Sequence, residues 1–275
     1  MPELPEVETI KNELLPWVVG QSFTQITILD SKLVCGGSVE EVNRGLIGQQ
    51  IESLERRGKY LIFHLSNNQS LIMHLRMTGS LLLNPEAIDS SARVIFHLSD
   101  GHRVVFNDRR RLGKMWLVDD VDDAVCKLGP EPLDESFTAD ILGKRLSGHH
   151  IPIKAALIDQ GIVAGIGNMY ADEALFAAQI NPLRKTDELS PAEVRTLHNC
   201  ICRILNAAIA SKGASVDTYV RPEGELGTAH FDFKVAHKGG KPCPLCSNTI
   251  ERCVVHNRGS YFCSSCQPLS PKRSK

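Results

Sequence analysis

The sequence lacks any apolar run of the length needed to cross a bilayer as a helix, which excludes a helical membrane span. It also lacks an excess of charge, because 31 Lys and Arg against 32 Asp and Glu give a net charge of -1. Averaged over the whole chain, this balance of charge is evidence against a uniformly basic nucleic-acid-binding protein. No export signal is found, so we expect a reducing cytoplasm and mostly free thiols among the nine cysteines.

The charges that are present are segregated along the chain. Residues 234–275 contain eight Lys or Arg against the single acid Glu251, and Arg109, Arg110 and Arg111 form a second basic cluster. A neutral protein with segregated charge can present a basic face to phosphate. For the arginine triplet alone, an ordinary solvated surface remains an alternative.

Four cysteines near the end of the sequence are spaced as two Cys-x-x-Cys pairs. They are Cys243, Cys246, Cys263 and Cys266. This spacing favours one structural zinc ion with four thiolate ligands over a pair of disulfides. Cys253 and His256 could compete as ligands, but neither belongs to a Cys-x-x-Cys pair. The residues between the pairs predict a β-hairpin with an Asn257-Arg258-Gly259 turn and Arg258 at its tip.

Hydrophobic periodicity predicts an α+β protein. Residues 5–15 have helical spacing and follow Pro5, and short apolar or alternating runs then predict strands over 22–29, 51–54, 60–65, 71–75, 80–83, 94–98, 104–107 and 115–118. Many short strands with tight turns at Asn67-Asn68 and Asp100-Gly101 favour a β-sandwich. Residues 120–136 predict a hinge, and helices are expected near 137–144 and over 153–159, 169–178 and 191–212.

We therefore expect four segments along the 275 residues. They are an N-terminal β-sandwich with an N-terminal helix over 1–128, a helical domain over 129–228, a four-cysteine zinc-binding hairpin over 229–268 and a mobile tail over 269–275.

The N-terminal residues place an amine beside acids. A small residue at position 2 generally permits removal of Met1, which would leave Pro2 with a free secondary amine. An α-amino group has a pKa of about 7.7–8.0 against about 10.4 for lysine, so more of it is neutral and nucleophilic near pH 7. Glu3 and Glu6 lie one helical turn apart and could shuttle a proton. The alternative is that these acids only complement the helix dipole.

A glycine-rich segment over 161–167 joins two expected helices. Its backbone N–H groups and the positive end of the following helix could bind a phosphate. Asn168 is placed to cap that helix or to donate to a phosphate, and Lys154 upstream could add charge. An ordinary packing unit of two helices is the alternative.

Four segments in order make the sequence resemble bacterial formamidopyrimidine-DNA glycosylases along essentially its whole length. They are Pro2-Glu3-Leu4-Pro5-Glu6-Val7-Glu8-Thr9, Arg57-Gly58-Lys59-Tyr60-Leu61, the helix–two-turns–helix segment 165–176, and the four-cysteine ribbon with Arg258-Gly259-Ser260-Tyr261-Phe262-Cys263. The resemblance implies a bifunctional DNA glycosylase/AP lyase of base excision repair. It would excise 8-oxoguanine and formamidopyrimidines from duplex DNA through a Schiff base and β,δ-elimination.

The resemblance also implies roles for individual residues. Pro2 matches the Schiff-base nucleophile, Glu3 the carboxylate that assists base release and Glu6 a supporting acid. Lys59, expected on a strand, matches a lysine that contacts phosphate and assists β-elimination. Arg258 matches a phosphate ligand that also serves δ-elimination. As an isolated residue, Lys59 would read as an exposed hairpin lysine.

Further matches concern the grip on DNA. Lys154 and Asn168 match phosphate-binding residues. Because a base must leave the stack to be excised, a plug is needed in its place. Met77 would fill the hole, Arg110 would face the orphaned cytosine, and Leu112 would wedge the stack. A buried strand position is the alternative for Met77.

The implied ligand and partner are one structural zinc ion and damaged double-stranded DNA, with no membrane and no protein partner. We expect a monomer in the bacterial cytoplasm that associates with the nucleoid when bound to DNA. The loop over 217–228 is expected to cover the flipped base and to determine purine preference.

Several positions depart from the family pattern. Leu112 replaces the usual phenylalanine, Ala236 an aromatic residue and Ser91 a histidine, and His149-His150 replaces a basic pair. Three other functions stay open. One is removal of oxidised pyrimidines, as in the endonuclease VIII branch. The others are an inactive DNA-binding protein and a zinc protein that binds another protein.

Overall fold

The chain is described by a computed structural model over residues 2–269. The expected mobile tail therefore lies outside the described residues except for its first position. Within the described part of the chain, no helix combines the length and apolar character that a bilayer crossing needs.

The chain forms two compact units, and each is discontinuous in sequence. The first unit contains residues 1–127 and 209–230, and the second contains residues 128–208 and 231–275. Residues 209–228, which the sequence reading groups with the helical domain, therefore belong to the unit that contains the large sheets.

The first unit is built from helices and strands of the N-terminal half. They are, in chain order, α1 (Leu4–Val18), β1 (Phe23–Ile28), β2 (Val34–Cys35), α2 (Val39–Leu46), β3 (Ile51–Arg57), β4 (Tyr60–Leu65), β5 (Ser70–His74), β6 (Gly79–Leu83), β7 (Ala92–Leu98), β8 (Arg103–Asp108), β9 (Lys114–Val118) and α3 (Asp122–Val125). The expected N-terminal helix and all eight expected strands are present.

Two sheets in this unit enclose one core. One has the strand order β1-β7-β8-β6 and the other β2-β9-β5-β4-β3. Their inward residues belong to the same hydrophobic cluster, with Phe96 and Phe106 from the first sheet and Phe63 and Met73 from the second. This arrangement confirms the predicted β-sandwich.

Helix α1 packs on that core through one face. Val7, Ile10, Leu14 and Val18 follow helical spacing, and all four are buried in the cluster. Glu3 is the N-cap, and Pro5 lies in the first turn, where a missing N–H costs no helical hydrogen bond. The start of the helix, and thus Pro2, is fixed against the sandwich.

The second unit is helical and ends in a hairpin. Its elements are α4 (Ala139–Ser147), α5 (Ile153–Ile158), α6 (Asn168–Ala177), α7 (Pro191–Ala210), β10 (Glu251–Val255) and β11 (Arg258–Phe262). Helix α7 extends over the unit boundary at residue 208. Ser190 and Glu193 form the expected start of α7, since each side chain bonds the other's backbone N–H. Together with the sheets and the four-cysteine cluster, these elements confirm the α+β class.

The hairpin turn differs from the prediction by one position. Val255 pairs with Arg258, so the turn residues are His256 and Asn257, with φ values of +47° and +60°. Two left-handed residues are typical of the tight turn that matches strand twist. Arg258 is therefore the first residue of β11 rather than the tip.

Candidate functional site

The start of α1 buries two acids next to Pro2. Pro2, Glu3 and Glu6 are all buried. The backbone N–H of Glu3 donates to Glu6 Oε2 at 2.7 Å, and the backbone N–H of Ala214 donates to Glu6 Oε1 at 2.8 Å. Backbone N–H groups therefore hold the Glu6 carboxyl in one orientation. Met1, whose removal would free the Pro2 amine, lies outside the described residues.

Lys59 lies in the two-residue turn between β3 and β4, not on a strand as predicted. Lys59 is only 7% exposed. The preceding Gly58 has a φ of +57°. A left-handed residue at this turn position is readily supplied by glycine. The tight turn thus fixes the backbone from which the lysine extends.

His74, which the sequence analysis does not single out, lies at the end of β5, where the charge of Lys59 acts on it. It is buried, and its Nδ1 accepts a hydrogen bond from the backbone N–H of Arg76 at 3.0 Å. Burial, followed by the charges of Arg76 and Lys59, lowers the pKa of His74 to about 3. The imidazole is therefore neutral at physiological pH and holds its proton on Nε2. The sequence signal for it is its place three residues before Met77.

Two adjacent loops present the residues expected to enter DNA. The methionine turn, residues 75–78, joins β5 to β6, and the arginine loop, residues 109–113, joins β8 to β9. Met77 is half-buried, Arg110 is exposed, and Leu112 is 40% exposed. An apolar side chain with that exposure fits the proposed wedge better than a core position.

The segment 211–228 is held against α1 and the sandwich at several points. Gly213 has a φ of +77°, and a Cβ there would lie 3.0 Å from Glu6 Oε1. The Tyr219 ring joins the core of the sandwich. The Arg221 guanidinium bonds both carboxylate oxygens of Glu13 on α1. The Pro222 carbonyl accepts from the backbone N–H of Leu83 on β6 at 2.7 Å, whereas residues 223–226 at the tip are exposed.

In the second unit, the Gly259 carbonyl joins the hairpin to the helices. It accepts from Lys154 Nζ at 3.1 Å and from Asn168 Nδ2 at 2.9 Å. Asn168 is the first residue of α6, and Gly167 is the N-cap, so the expected capping role of the asparagine is not seen. These contacts fix the start of β11 and hence the backbone at Arg258.

Lys154 lies deeper than a direct phosphate ligand would. It is 0% exposed, and its Nζ lies 2.6 Å from Asp172 Oδ1. Burial raises the pKa of Asp172 to about 7, although the Lys154 charge opposes that shift. Asp172 also accepts from the backbone N–H of Tyr261 at 3.1 Å. Lys154 therefore acts on the hairpin from inside the unit.

The four predicted ligand cysteines converge on one point. The sulfur atoms of Cys243, Cys246, Cys263 and Cys266 all lie within 4.8 Å of one another, and no other such group occurs in residues 2–269. All nine cysteines are free thiols. Four soft sulfur donors at this spacing suit one tetrahedral zinc ion, which confirms the predicted structural zinc site. Cys253 and His256 lie outside the cluster.

Comparison with protein families covers most of the chain. Residues 1–115 match the formamidopyrimidine-DNA glycosylase N-terminal domain, and residues 128–220 match the H2TH domain of formamidopyrimidine-DNA glycosylase. Residues 240–269 match the zinc finger found in FPG and IleRS. The three matches follow one another in the order of the structural elements.

Individual relatives and solved structures agree with those matches. A formamidopyrimidine-DNA glycosylase from Symbiobacterium thermophilum is 41% identical over 100% of this chain and 94% of its own length. One from Chloroflexus aurantiacus is 41% identical over 97% of this chain and 98% of its own. The crystal structure of the MutM (FPG) protein from Thermus thermophilus has a TM-score of 0.89 at 36% identity, over 98% of this chain and 100% of that one. The Lactococcus lactis Fpg in complex with abasic-site DNA has a TM-score of 0.90 at 33% identity, over 97% and 99%.

Proposed function

The chain belongs to the formamidopyrimidine-DNA glycosylase family, and from that membership we propose a bifunctional DNA repair enzyme. It excises oxidised purines, 8-oxoguanine and formamidopyrimidines, from duplex DNA and then cuts the strand as an AP lyase. Damaged duplex DNA is its partner, and it works as a monomer in the bacterial cytoplasm, at the nucleoid when bound to DNA. The buried acids Glu3 and Glu6 next to Pro2 are the observation that carries the proposal.

The first step forms a bond between Pro2 and the sugar. After removal of Met1, the Pro2 nitrogen attacks C1′ of the damaged nucleotide, and the glycosidic bond breaks. Glu3 gives a proton to the leaving base or to the sugar ring oxygen. The position of Glu3 supports this role, because its buried carboxyl directly follows Pro2 in the chain. Glu6, held by two backbone N–H groups, maintains the geometry around the amine.

The second step cleaves the strand. After the base has left, the C1′–O4′ bond breaks as the ring oxygen takes a proton, which leaves a positively charged iminium between C1′ and Pro2. The iminium acidifies the C2′–H bond, so loss of that proton expels the 3′ phosphate by β-elimination. Lys59 contacts that phosphate and assists the proton transfer. Arg258, exposed at the start of β11, neutralises a phosphate and serves the subsequent δ-elimination. Asn168 uses one amide hydrogen for Gly259 and offers the other to a phosphate.

The flipped base and the hole that it leaves require separate residues. Met77 fills the hole, Arg110 faces the orphaned cytosine, and Leu112 separates the neighbouring bases. The tip of the 211–228 segment covers the extruded purine. Its ends are anchored while the tip is open, which supports a role for the tip in accepting a base.

Borohydride trapping tests the nucleophile. We expect the trimmed protein to form a stable cross-link with abasic DNA in borohydride, and peptide mass mapping to place the adduct on residue 2. Pro2→Ala should slow trapping and lesion cleavage, while Pro5→Ala, a proline change within the same turn of α1, should not. An adduct on Lys59, or lesion cleavage at full speed by trimmed Pro2→Ala, would contradict the proposal.

A further inference from the structure

One buried carboxylate is shared by the methionine turn and the arginine loop. Asp108 Oδ2 accepts the backbone N–H of Leu112 at 2.8 Å and of Gly113 at 2.7 Å. Asp108 Oδ1 accepts the backbone N–H of Arg110 at 3.2 Å and the hydroxyl of Thr78. Asp108 is 0% exposed, so these four bonds form away from competing water.

Thr78 connects the two loops because its hydroxyl acts as both a hydrogen-bond donor and an acceptor. The hydroxyl donates to Asp108 Oδ1 and accepts from the backbone N–H of Arg110 at 3.1 Å. Thr78 follows Met77 directly and is itself buried. The position of the Met77 backbone is thereby tied to that of Arg110.

Arg111, in the middle of the arginine loop, is paired with Asp30. Arg111 has a φ of +57°, and its Nε donates to Asp30 Oδ2 at 2.5 Å. Arg111 is exposed like its neighbours Arg110 and Leu112. The bond to Asp30 thus holds the Arg111 side chain in an ion pair. The bonds to Asp108 hold the backbone of Arg110 and Leu112.

We propose that Asp108 and Thr78 are positioning residues that join the methionine turn to the arginine loop. Through them, Met77, Arg110 and Leu112 enter the damaged duplex as one preassembled unit. This inference rests on the proposed function. It adds that the plug, the contact with the opposite base and the wedge act cooperatively, and that the Thr78 hydroxyl makes them do so. Neither residue touches the reacting atoms.

A double-mutant cycle in two backgrounds tests the coupling. Met77→Ala, Leu112→Ala and the double variant are made in the wild-type background and again in the Thr78→Val background. Single-turnover excision of 8-oxoguanine opposite cytosine is measured for each. With Thr78, we expect the double variant to differ by about fivefold or more from the product of the single effects. With Thr78→Val, the effects should become multiplicative. Coupling that persists unchanged with valine would overturn the proposal.

Thr78→Val alone provides a second readout. Losing hydrogen bonds to a buried carboxylate should slow 8-oxoguanine excision by about tenfold or more. Cleavage of DNA that already contains an abasic site should change by less than about twofold, because no base has to be extruded. Thr78→Ser should restore excision, and Thr24→Val, which removes an exposed hydroxyl from the same unit, should leave it unchanged. Equal loss of both activities would indicate a purely structural role. If Thr78→Val does not fold, Thr78→Ala is the substitute, because it removes the same hydroxyl and introduces a smaller side chain.

Amide hydrogen exchange in the free protein separates this inference from the proposed function. Thr78→Val should accelerate exchange at Arg110 and leave Gly113 slow, while Asp108→Asn should accelerate both. Failure of the wild-type protein to act on any damaged duplex would reject the proposed function, and these exchange rates would still decide the coupling. Unchanged exchange at Arg110 in Thr78→Val would overturn it.

Discussion

At the scale of single residues, the proposed catalytic end of the protein depends on contacts from distant parts of the sequence. Glu6 is held by the N–H of Ala214, 208 positions later, and Gly213 leaves no room for a side chain beside it. Both residues precede the loop expected to cover the base. The orientation of the Glu6 carboxyl and the start of that loop are therefore fixed together.

Gly213→Ala should impair excision more than it impairs folding. A Cβ would press on Glu6 Cγ and Oε1, each at 3.0 Å, and a small displacement of reacting groups can slow catalysis about a hundredfold. The left-handed backbone alone should cost roughly 1–2 kcal/mol of unfolding free energy. Gly20→Ala is the matched control, because Gly20 has a φ of +85° and open space around it. Denaturant unfolding and single-turnover excision should show similar stability losses, with excision lost only in Gly213→Ala.

Single residues differ in how far the sequence predicts them. The spacing of the four cysteines indicates zinc by itself, whereas the roles expected for Pro2, Glu3 and Lys59 come from the resemblance of their segments to the family. The roles of Asp108 and His74 depend on contacts made across strands. No local sequence pattern predicts that Asp108 accepts a hydrogen bond from the Thr78 hydroxyl. None predicts that burial keeps His74 neutral.

At the scale of elements, the zinc-binding hairpin is the most dependent on its ligand. Its two strands have five residues each, and its hydrophobic cluster is small. An isolated two-stranded hairpin is marginal in water. The metal and the bonds from Lys154 and Asn168 to Gly259 therefore determine where Arg258 lies.

Zinc removal should weaken DNA binding without unfolding the first unit. Both tryptophans, Trp17 on α1 and Trp116 on β9, belong to that unit, so intrinsic emission should stay constant during chelation. Binding to abasic DNA, followed by fluorescence anisotropy, should weaken by about tenfold or more as the hairpin loses its ligand. Cys246→Ser should lose zinc, and Cys253→Ser, in the same hairpin, should retain it. A shift in tryptophan emission parallel to zinc loss would show that the first unit also depends on the metal.

Element boundaries were predicted well where hydrophobic alternation is strong and poorly where it is weak. The predicted strand over 60–65 coincides with β4. Helix α2 was missed, because only Val42 and Leu46 are buried in it, although Ser38 and Glu41 form a capping box that could have indicated it. The hairpin turn was misplaced by one position, because its register depends on strand pairing rather than on the Asn-Arg-Gly sequence.

At the scale of the whole molecule, a net charge of -1 has to be reconciled with binding to a polyanion. Exposed cations such as Arg110 and Arg258 lie in separate units, and Lys154 is fully buried. Affinity for DNA should thus depend on a few local phosphate contacts rather than on an overall field. The two compact units are discontinuous in sequence, because residues 209–230 belong to the first unit.

The dependence of affinity on salt distinguishes surface from buried cations. Arg258→Ala should lower the slope of log affinity against log salt concentration by about 1, as loss of one phosphate contact predicts. Lys154→Met should leave the slope unchanged and lower the unfolding free energy, since Asp172 would lose its buried partner. Titrations of abasic DNA at several salt concentrations, with denaturant unfolding alongside, measure both effects. A reduced slope for Lys154→Met would mean that this lysine reaches a phosphate after all.

The segment 211–228 has one part that contacts α1 and an exposed apex, and these two parts can change independently during evolution. The backbone N–H of Ala214 bonds Glu6, and the Arg221 side chain bonds Glu13 on α1, whereas Leu226 near the apex is 62% exposed. Much like a hypervariable loop on an antibody framework, the apex can exchange or gain residues while the framework beneath it stays intact. If the apex covers the base as proposed, changing a few apical positions should alter lesion preference without changing the residues around Pro2.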